Sequence, residues 1–247
     1  MYNTHKIDDL KKQLDKYLPL PKETIKSWQE NFITDFTYNS NAIEGNTLSL
    51  RETSVVINEG IAIGGKTIRE HLELINHKEA YLYVEELAKQ NAFLSEKNVK
   101  DLHYRVLNHE MNCAGTYRRV PVVLRGAEFR PIQPDLIEKA IDNLFIKYKE
   151  EWNDKHVLWR IAMFHLEFES IHPFIDGNGR TGRLIINLEL LKNGYLPVII
   201  KFIDRAKYFK AFSVYNANGN GNALFEIICN ELEKQYDLLL KLGIEST

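Results

Sequence analysis

The feature that most limits how this chain can fold is the distribution of its prolines. No proline lies between Pro21 and Pro121. Because a proline inside a helix removes a backbone donor and clashes with the preceding turn, its absence leaves residues 22–120 free to form helices. Apolar residues recur at helical spacing in two parts of this stretch, namely Phe32, Phe36 and Ile43, and then Leu72, Ile75, Ala80, Tyr83, Val84 and Leu87. We therefore expect long helices in the first half of the chain.

The second half combines one β-rich segment with further helices. Residues 117–131 are rich in β-branched and aromatic side chains, are interrupted by Gly126 and end at Pro131, which predicts a short hairpin. Helical spacing follows at 136–148, a segment apolar nearly all round at 157–168 predicts a buried helix, and further helices are expected after residue 180 and at about 223–242. No linker rich in Gly, Ser or Pro separates these parts. The sequence predicts one compact unit that is mainly α-helical.

Composition and charge argue against several classes of protein. Lys and Arg total 32 and Asp and Glu total 34, so the net charge of −2 argues against a dedicated nucleic-acid binder. No apolar run approaches the roughly 18 residues of a membrane span, and the charges of Lys6, Asp8 and Asp9 argue against a secretory signal. Cys113 and Cys229 form no CxxC pair. We expect reduced thiols in a cytoplasmic protein without nucleic-acid or membrane partners.

One short motif resembles a phosphate-binding P-loop and is rejected. Residues 60–67 (GIAIGGKT) match GxxxxGK[ST]. A P-loop works only where it joins a strand to a helix within a parallel sheet, whereas the residues before Gly60 favour a helix and nothing between 67 and 116 alternates like a strand. We predict a glycine-rich turn between two helices here.

The segment that points to chemistry is residues 172–183, HPFIDGNGRTGR, between two predicted buried helices. Glycines before a helix start let backbone N–H groups converge on an anion, and the helix N-terminus adds positive potential. Arg180 and Arg183 are three residues apart, so their guanidinium groups share a helix face and suit phosphate oxygens. Asp176 is a carboxylate of the kind that holds Mg²⁺ beside phosphates, and His172 can accept a proton near neutral pH. The combination predicts phosphoryl-group chemistry.

Taken singly, these residues have simpler interpretations. His172 before a proline is compatible with a helix-end cap, and the two arginines with surface charge. Asp-Gly-Asn-Gly at 176–179 is compatible with a turn or part of a Ca²⁺ loop, although the Glu that such a loop requires is absent. The simpler interpretations do not explain why every role needed for one reaction occurs within a single short segment.

The segment resembles the signature of Fic (Fido-domain) proteins, HxFx[DE]GNGRxxR, at every defining position. The resemblance implies a Fic-type helical bundle with a short β-hairpin flap, and transfer of AMP from Mg²⁺-ATP to a Ser, Thr or Tyr hydroxyl of a target protein. His172 would deprotonate that hydroxyl and Asp176 would hold Mg²⁺. The phosphates would be bound by Gly177, Asn178, Gly179, Arg180 and Arg183, with Arg180 on the β-phosphate and Arg183 on the γ-phosphate.

Further matches to the family lie outside this loop. The predicted hairpin at about 117–131 resembles the flap that pairs with a target segment, which assigns target binding to Val120, Val122, Val123 and Leu124. Tyr208, Phe209 and Asn216 resemble residues of the adenine and ribose pocket, and their alternative role is helix core and helix end.

A second motif, residues 40–46 (SNAIEGN), indicates regulation. Gly45 predicts a helix stop, which places Glu44 on the last turn and Ser40 one turn earlier. A carboxylate is disfavoured there by the helix dipole and would gain from a cationic partner. The motif resembles the Fic inhibitory sequence [ST]xxxE[GN], formed here by Ser40, Glu44, Gly45 and Asn46. The resemblance names Arg183 as the partner of Glu44, so that ATP would be kept from its productive position.

The leading hypothesis from sequence is an autoinhibited protein adenylyltransferase that also modifies itself, with Mg²⁺ as cofactor, ATP as co-substrate and an unknown target protein. Residues 1–90 would carry the inhibitory motif and residues 91–247 the Fic core, and a homodimer is a further expectation. Two alternatives stay open. One stays within the fold but changes the reaction, either to removal of AMP from a modified target, with Glu44 activating a water molecule, or to transfer of another nucleotide or phosphate-bearing group. The other is a non-enzymatic, toxin-like interaction module.

Overall fold

We describe the protein from a computed structural model, which covers residues 4–108, 112–124 and 129–245. Within these residues the chain is helical and contains no strand. The helices are α1 (Thr4–Asp15), α2 (Lys22–Ile43), α3 (Leu50–Ser54), α4 (Ile68–Lys89), α5 (Glu96–Val106), α6 (Ile137–Ile146), α7 (Val157–Ile171), α8 (Asn178–Lys192), α9 (Arg205–Asn218) and α10 (Asn222–Glu245). Short π-helical turns follow α3 and α6, and single 3₁₀ turns precede α6 and α9. The mainly α prediction is confirmed.

The helices of the first half begin and end where the local sequence provides caps. Ser49 and Thr67 start α3 and α4 with complete capping boxes, closed by Glu52 and Glu70. The two carboxylates satisfy backbone N–H groups that would otherwise lack partners. Helix α2 ends as predicted, because Gly45 adopts a left-handed backbone with φ of 103° directly after Glu44. Glu44 is thereby fixed at the end of a long helix.

The P-loop-like sequence at 60–67 is a turn, as predicted. It runs from the π-helical turn Val55–Glu59 to Thr67, the N-cap of α4, and no strand flanks it. The phosphate-binding geometry of a P-loop needs a strand before it and is therefore not formed.

The predicted hairpin at 117–131 is wrong for the residues that the structure describes, 117–124 and 129–131. They form no paired strands, and residues 125–128 lie outside the described chain. Arg118 explains the difference, because its buried guanidinium donates to the carbonyl oxygens of His172 at 2.8 Å and Ile132 at 2.6 Å. Its own N–H donates to the carbonyl of Pro173 at 2.9 Å. The segment is thus anchored to the loop after α7 rather than paired with itself.

Helices α7 and α8 form the centre of the molecule. They pack on each other, and their side chains enter both large clusters of the core. One cluster joins them to α1, α9 and α10, and the other joins them to α2, α4, α5 and α6. Burial of apolar surface on both sides holds the loop between α7 and α8 on a rigid base. No helix among the described residues is long and apolar enough to span a membrane.

Candidate active site

The loop from His172 to Gly177 joins α7 to α8 through two left-handed residues. His172 ends α7 with φ of 51°, and Gly177 precedes α8 with φ of 76°. The side chain of Asn178 closes the loop, because its amide accepts from the N–H of Phe174 and donates to the carbonyl of Phe174, both at 2.9 Å. Asn178 therefore shapes the turn before α8 from inside the protein.

His103 on α5 supports the loop from behind, a role that no sequence motif indicated. Its Nδ1 accepts from the N–H of Gly115 at 2.8 Å, so its Nε2 carries the proton donated to the carbonyl of Asp176 at 2.9 Å. The ring stacks on Phe174 at a centroid distance of 3.6 Å. Burial lowers the pKa of His103 to about 4, which keeps the ring neutral and this pattern fixed near neutral pH.

The two arginines of α8 are both buried but are paired very differently. Arg183 donates through Nε to Ser40 Oγ at 3.0 Å, and through Nη2 to Ser40 O and Glu44 Oε1, each at 2.7 Å. Arg180 has Nε and Nη1 buried without a hydrogen-bond partner among the described residues, and its Nη2 lies 3.6 Å from Asp176 Oδ1. Unsatisfied buried guanidinium donors are costly, so Arg180 presents a cation suited to an anionic ligand.

Glu44 and Ser40, the residues singled out in the inhibitory motif, both reach Arg183 from α2. The Glu44 side chain is 38% exposed and that of Arg183 is 1% exposed, so the carboxylate covers a buried guanidinium. A Cβ on Gly179 would collide with Glu44 Oε1, which shows how closely the carboxylate approaches the start of α8. Gly45 sets the helix end, and Asn46 bonds to Glu73 Oε2 at 2.8 Å.

His172 lines the same pocket as Glu44 and Arg183, and its ring is neutral. Burial, and next the charge of Arg118, lower the pKa of His172 to about 4. Its Nδ1 is buried without a hydrogen-bond partner among the described residues and lies 3.9 Å from Glu169 Oε2. A neutral imidazole is the form that can accept a proton.

Asp176, the predicted metal ligand, is partly exposed at the start of α8. Its Oδ1 accepts from the N–H of Gly177 at 2.6 Å, and its Oδ2 pairs with Arg69 Nη2 at 2.9 Å. No group of three or more His, Cys, Asp or Glu in the described part of the chain is arranged to hold a metal ion. A single carboxylate beside a phosphate-binding turn fits Mg²⁺, because this ion is commonly bound through one or two carboxylates plus substrate phosphates.

A cavity of about 460 Å³ lies beside His172 and the Glu44–Arg183 pair, and Asp176, Gly177, Asn178 and Arg180 are not among the residues that line it. The predicted site residues that line it are Glu44, Leu124, His172, Gly179, Arg183, Tyr208 and Phe209. Tyr208 is buried and accepts from Arg183 Nη1 at 3.4 Å. Asn216 does not line the cavity, because its side chain donates to Ser170 Oγ and Phe212 O. Val120, Val122 and Val123 also lie outside it, and Val120 and Val123 are exposed.

Comparison with known proteins agrees with this geometry. The sequence model of the Fic/DOC family matches residues 93–190, which include α5, α7, the loop and most of α8. The chain contains a Fic/DOC family domain. Outside the matched residues, the end of α2 brings Glu44 to the pocket of this domain, and α9 brings Tyr208.

Curated relatives and solved structures extend the similarity over the rest of the chain. The chain is 32% identical over 245 residues to "Protein adenylyltransferase Fic" of Nematostella vectensis, covering 95% of this chain and 55% of that protein. It is 35% identical over 190 residues to "Protein adenylyltransferase fic-1" of Caenorhabditis elegans, covering 73% and 36%. The chain thus spans about half or less of these relatives. A Fic domain containing signaling protein from Bacteroides thetaiotaomicron superposes with a TM-score of 0.87 at 25% identity, covering 98% of both chains.

Proposed function

We propose that this chain is a protein adenylyltransferase that is held inactive by its own α2. It would transfer AMP from ATP to a hydroxyl group of a target protein. The observation that supports this most is the Glu44–Arg183 pair of 2.7 Å in the cavity that also contains His172. The curated relatives named above carry the same activity in their names.

The residues of the pocket would divide the reaction between them. His172 takes the proton of the target hydroxyl, whose oxygen forms a bond to the α-phosphorus while the bond between that phosphorus and the β-phosphate oxygen breaks. Pyrophosphate leaves, and its charge is met by Arg180, Arg183 and the N–H groups at the start of α8. Mg²⁺, held by Asp176 and the substrate phosphates, would offset further negative charge.

The inhibition would follow from competition for one cation. The γ-phosphate needs the Arg183 donors that Ser40 and Glu44 now occupy, and its negative charge would meet the Glu44 carboxylate. ATP that cannot place its γ-phosphate there would not align its α-phosphorus with His172. Release of Glu44 from Arg183 would restore the productive position.

A second candidate is removal of AMP from a modified protein. It is favoured by the position of Glu44 in the same cavity as His172, where its carboxylate would activate a water molecule. The self-modified Glu44→Gly protein provides a substrate for this test. Incubation with wild-type protein releases AMP if the second activity is present and leaves the modified mass unchanged if it is absent.

The proposed transfer is tested by mass spectrometry of Glu44→Gly protein after exposure to each Mg²⁺-nucleoside triphosphate, with cell lysate as the source of targets. We expect incorporation of AMP from ATP by Glu44→Gly and little by wild type. Glu59→Gly is a matched control, because Glu59 is also exposed and precedes a left-handed glycine, Gly60. Absence of any transfer by Glu44→Gly would contradict the proposal and favour the non-enzymatic module.

Self-association into a homodimer and a cytoplasmic location stay predictions from sequence, as do the division at residue 90 and the absence of nucleic-acid and membrane partners.

A further inference from the structure

Glu169 places a carboxyl group in the pocket proposed to bind polyphosphate, where a second negative charge would repel the ligand. It lies on α7, one turn before His172, and lines the same cavity as Arg183. The residue is only 9% exposed. Buried carboxylates normally pair with a cation or accept several hydrogen bonds, because desolvation of the charge is costly. Glu169 belongs to none of the Fic signature positions, and its role needs its own explanation.

The neighbours of Glu169 do not provide for an ionised carboxylate. Its Oε1 is buried without a hydrogen-bond partner among the described residues, and its Oε2 lies 3.9 Å from His172 Nδ1. The donors of Arg183 are directed to Ser40, Glu44 and Tyr208 instead. Oε1 also lies against the backbone of α8, because a Cβ on Gly182 would be 2.7 Å from it. The carboxyl group is therefore held in place by packing rather than by an ion pair.

Burial, and next the negative charge of Glu44, raise the pKa of Glu169 to about 8, while the charge of Arg183 opposes the shift. Three other titratable groups near it have pKa values far from neutral pH. Burial lowers the pKa of His165 to about 3 and that of His172 to about 4, and it raises the pKa of Tyr208 above its usual range. Among these four groups, Glu169 is the one whose pKa lies between about 6 and 9.

We propose that Glu169 is a nucleotide-binding residue that works as a neutral carboxylic acid, donating its O–H to a phosphate oxygen of the bound nucleotide. The proposal rests on the proposed function, since it needs a nucleotide in this cavity. A phosphate that replaces the Glu44 carboxylate brings a negative charge to the same place and keeps Glu169 protonated. Binding and protonation are then linked, so that an ionised Glu169 must take up one proton when the nucleotide binds.

The sign of the resulting pH dependence follows from this linkage. Below the pKa of Glu169 in the free protein, the acid is already protonated and affinity is constant. Above that pKa, the dissociation constant of the nucleotide rises by up to about tenfold per pH unit, because protonation is now part of binding. Glu44 is one cause of the raised pKa of Glu169, so this pKa is lower in a Glu44→Gly protein than in the wild type. The dissociation constant of the nucleotide therefore begins to rise at a lower pH in Glu44→Gly.

The test is isothermal titration calorimetry of Glu44→Gly protein with the Mg²⁺ complex of α,β-methylene ATP, whose AMP cannot be transferred. Titrations between about pH 6 and 9, in buffers with different ionisation enthalpies, give both the dissociation constant and the protons taken up. We expect proton uptake that approaches one per nucleotide at the alkaline end. Adding Glu169→Gln, a neutral isostere that still donates, should abolish the uptake and leave the affinity independent of pH.

The outcomes separate the inference from the proposed function. At about pH 9 the Glu44→Gly protein with Glu169→Gln should bind α,β-methylene ATP about tenfold more tightly than Glu44→Gly alone. A substitution that only disturbed the structure would weaken binding instead. Glu167→Gln is the matched control, since Glu167 lies on the same helix and pairs with Lys147 at 2.9 Å. Binding by Glu44→Gly without proton uptake, or equal uptake after Glu169→Gln, would overturn the role of Glu169 alone. No binding at any pH would overturn the proposed function and this inference with it.

Discussion

The two ends of the proposed phosphate-binding surface on α8 differ in how many hydrogen bonds their arginines make. At one end, Arg183 donates to Ser40, Glu44 and Tyr208. At the other end, one turn earlier, Arg180 has two donor atoms buried without a partner among the described residues. Both side chains are almost fully buried, with 1% of Arg183 and 2% of Arg180 exposed. A carboxylate of the protein thus already pairs with Arg183, whereas Arg180 has only the longer contact of 3.6 Å with Asp176.

If Glu44 inhibits the protein as proposed, it does so at a site that is otherwise ordered. The loop is already shaped by Asn178 and His103, and Arg118 holds the carbonyl of His172. A preformed site pays little reorganisation on binding, so a single displaced side chain is enough to change its affinity. Under the proposed function, Glu44 would block only the γ-phosphate end and leave the rest of the pocket unchanged.

The largest expected effect comes from His172, which belongs to neither end. In the Glu44→Gly background, His172→Ala should reduce the rate of AMP transfer by about 10²- to 10⁴-fold, because the proton acceptor is lost. The affinity for α,β-methylene ATP should change by less than about twofold, since both arginines remain. Rate measurements under saturating ATP, together with calorimetry, separate the two. Equal transfer with and without the imidazole would contradict its role as the base.

A smaller effect is expected when only the negative charge of Glu44 is removed. Glu44→Gln keeps the size of the side chain and an acceptor for Arg183, but the hydrogen bond to a neutral amide is weaker than one to a carboxylate. We expect the affinity for α,β-methylene ATP to rise about threefold over wild type, less than for Glu44→Gly. Glu59→Gln serves as control. If Glu44→Gln and Glu44→Gly bind α,β-methylene ATP equally well, the negative charge of Glu44 alone accounts for the weaker binding by wild type.

The smallest effect concerns Asp176, the predicted metal ligand near Arg180. Arg69 pairs with Asp176 from α4, and its side chain is 63% exposed. Exposed ion pairs contribute little, so Arg69→Ala should increase the affinity for Mn²⁺ by about twofold in the presence of α,β-methylene ADP. Electron paramagnetic resonance of free Mn²⁺ gives this value without any turnover. Arg51→Ala on α3 is the control, and weaker Mn²⁺ binding after Arg69→Ala would show that Arg69 supports the metal site instead.

Local sequence predicted those parts of the fold and site that depend on neighbouring residues. The helix end at Gly45, the turn at 60–67 and the apolar helix α7 follow from backbone preference and periodicity, and the structure contains them. The approach of Glu44 to Arg183 spans 139 positions, and only the family resemblance indicated it.

The residues that sequence reasoning missed act across long distances in the chain. His103, Arg118 and Glu169 have no motif of their own, and each matters through what the fold places beside it. Arg118 also explains the wrong hairpin, since β-branched composition at 117–124 favoured strands while one buried guanidinium bound the backbone elsewhere. Asn216 failed to reach the cavity because Ser170 and its own helix satisfy its amide.

The central claim, that an internal carboxylate occupies only the γ-phosphate end of the site, is tested most directly by comparing two nucleotides. Calorimetry measures binding of α,β-methylene ATP and α,β-methylene ADP to wild-type and Glu44→Gly protein. We predict that Glu44→Gly binds the ATP analogue about tenfold more tightly than wild type, while the affinity for the ADP analogue changes by less than about threefold. Equal affinities of the two proteins for the ATP analogue, or an equal gain for both nucleotides, would contradict the claim.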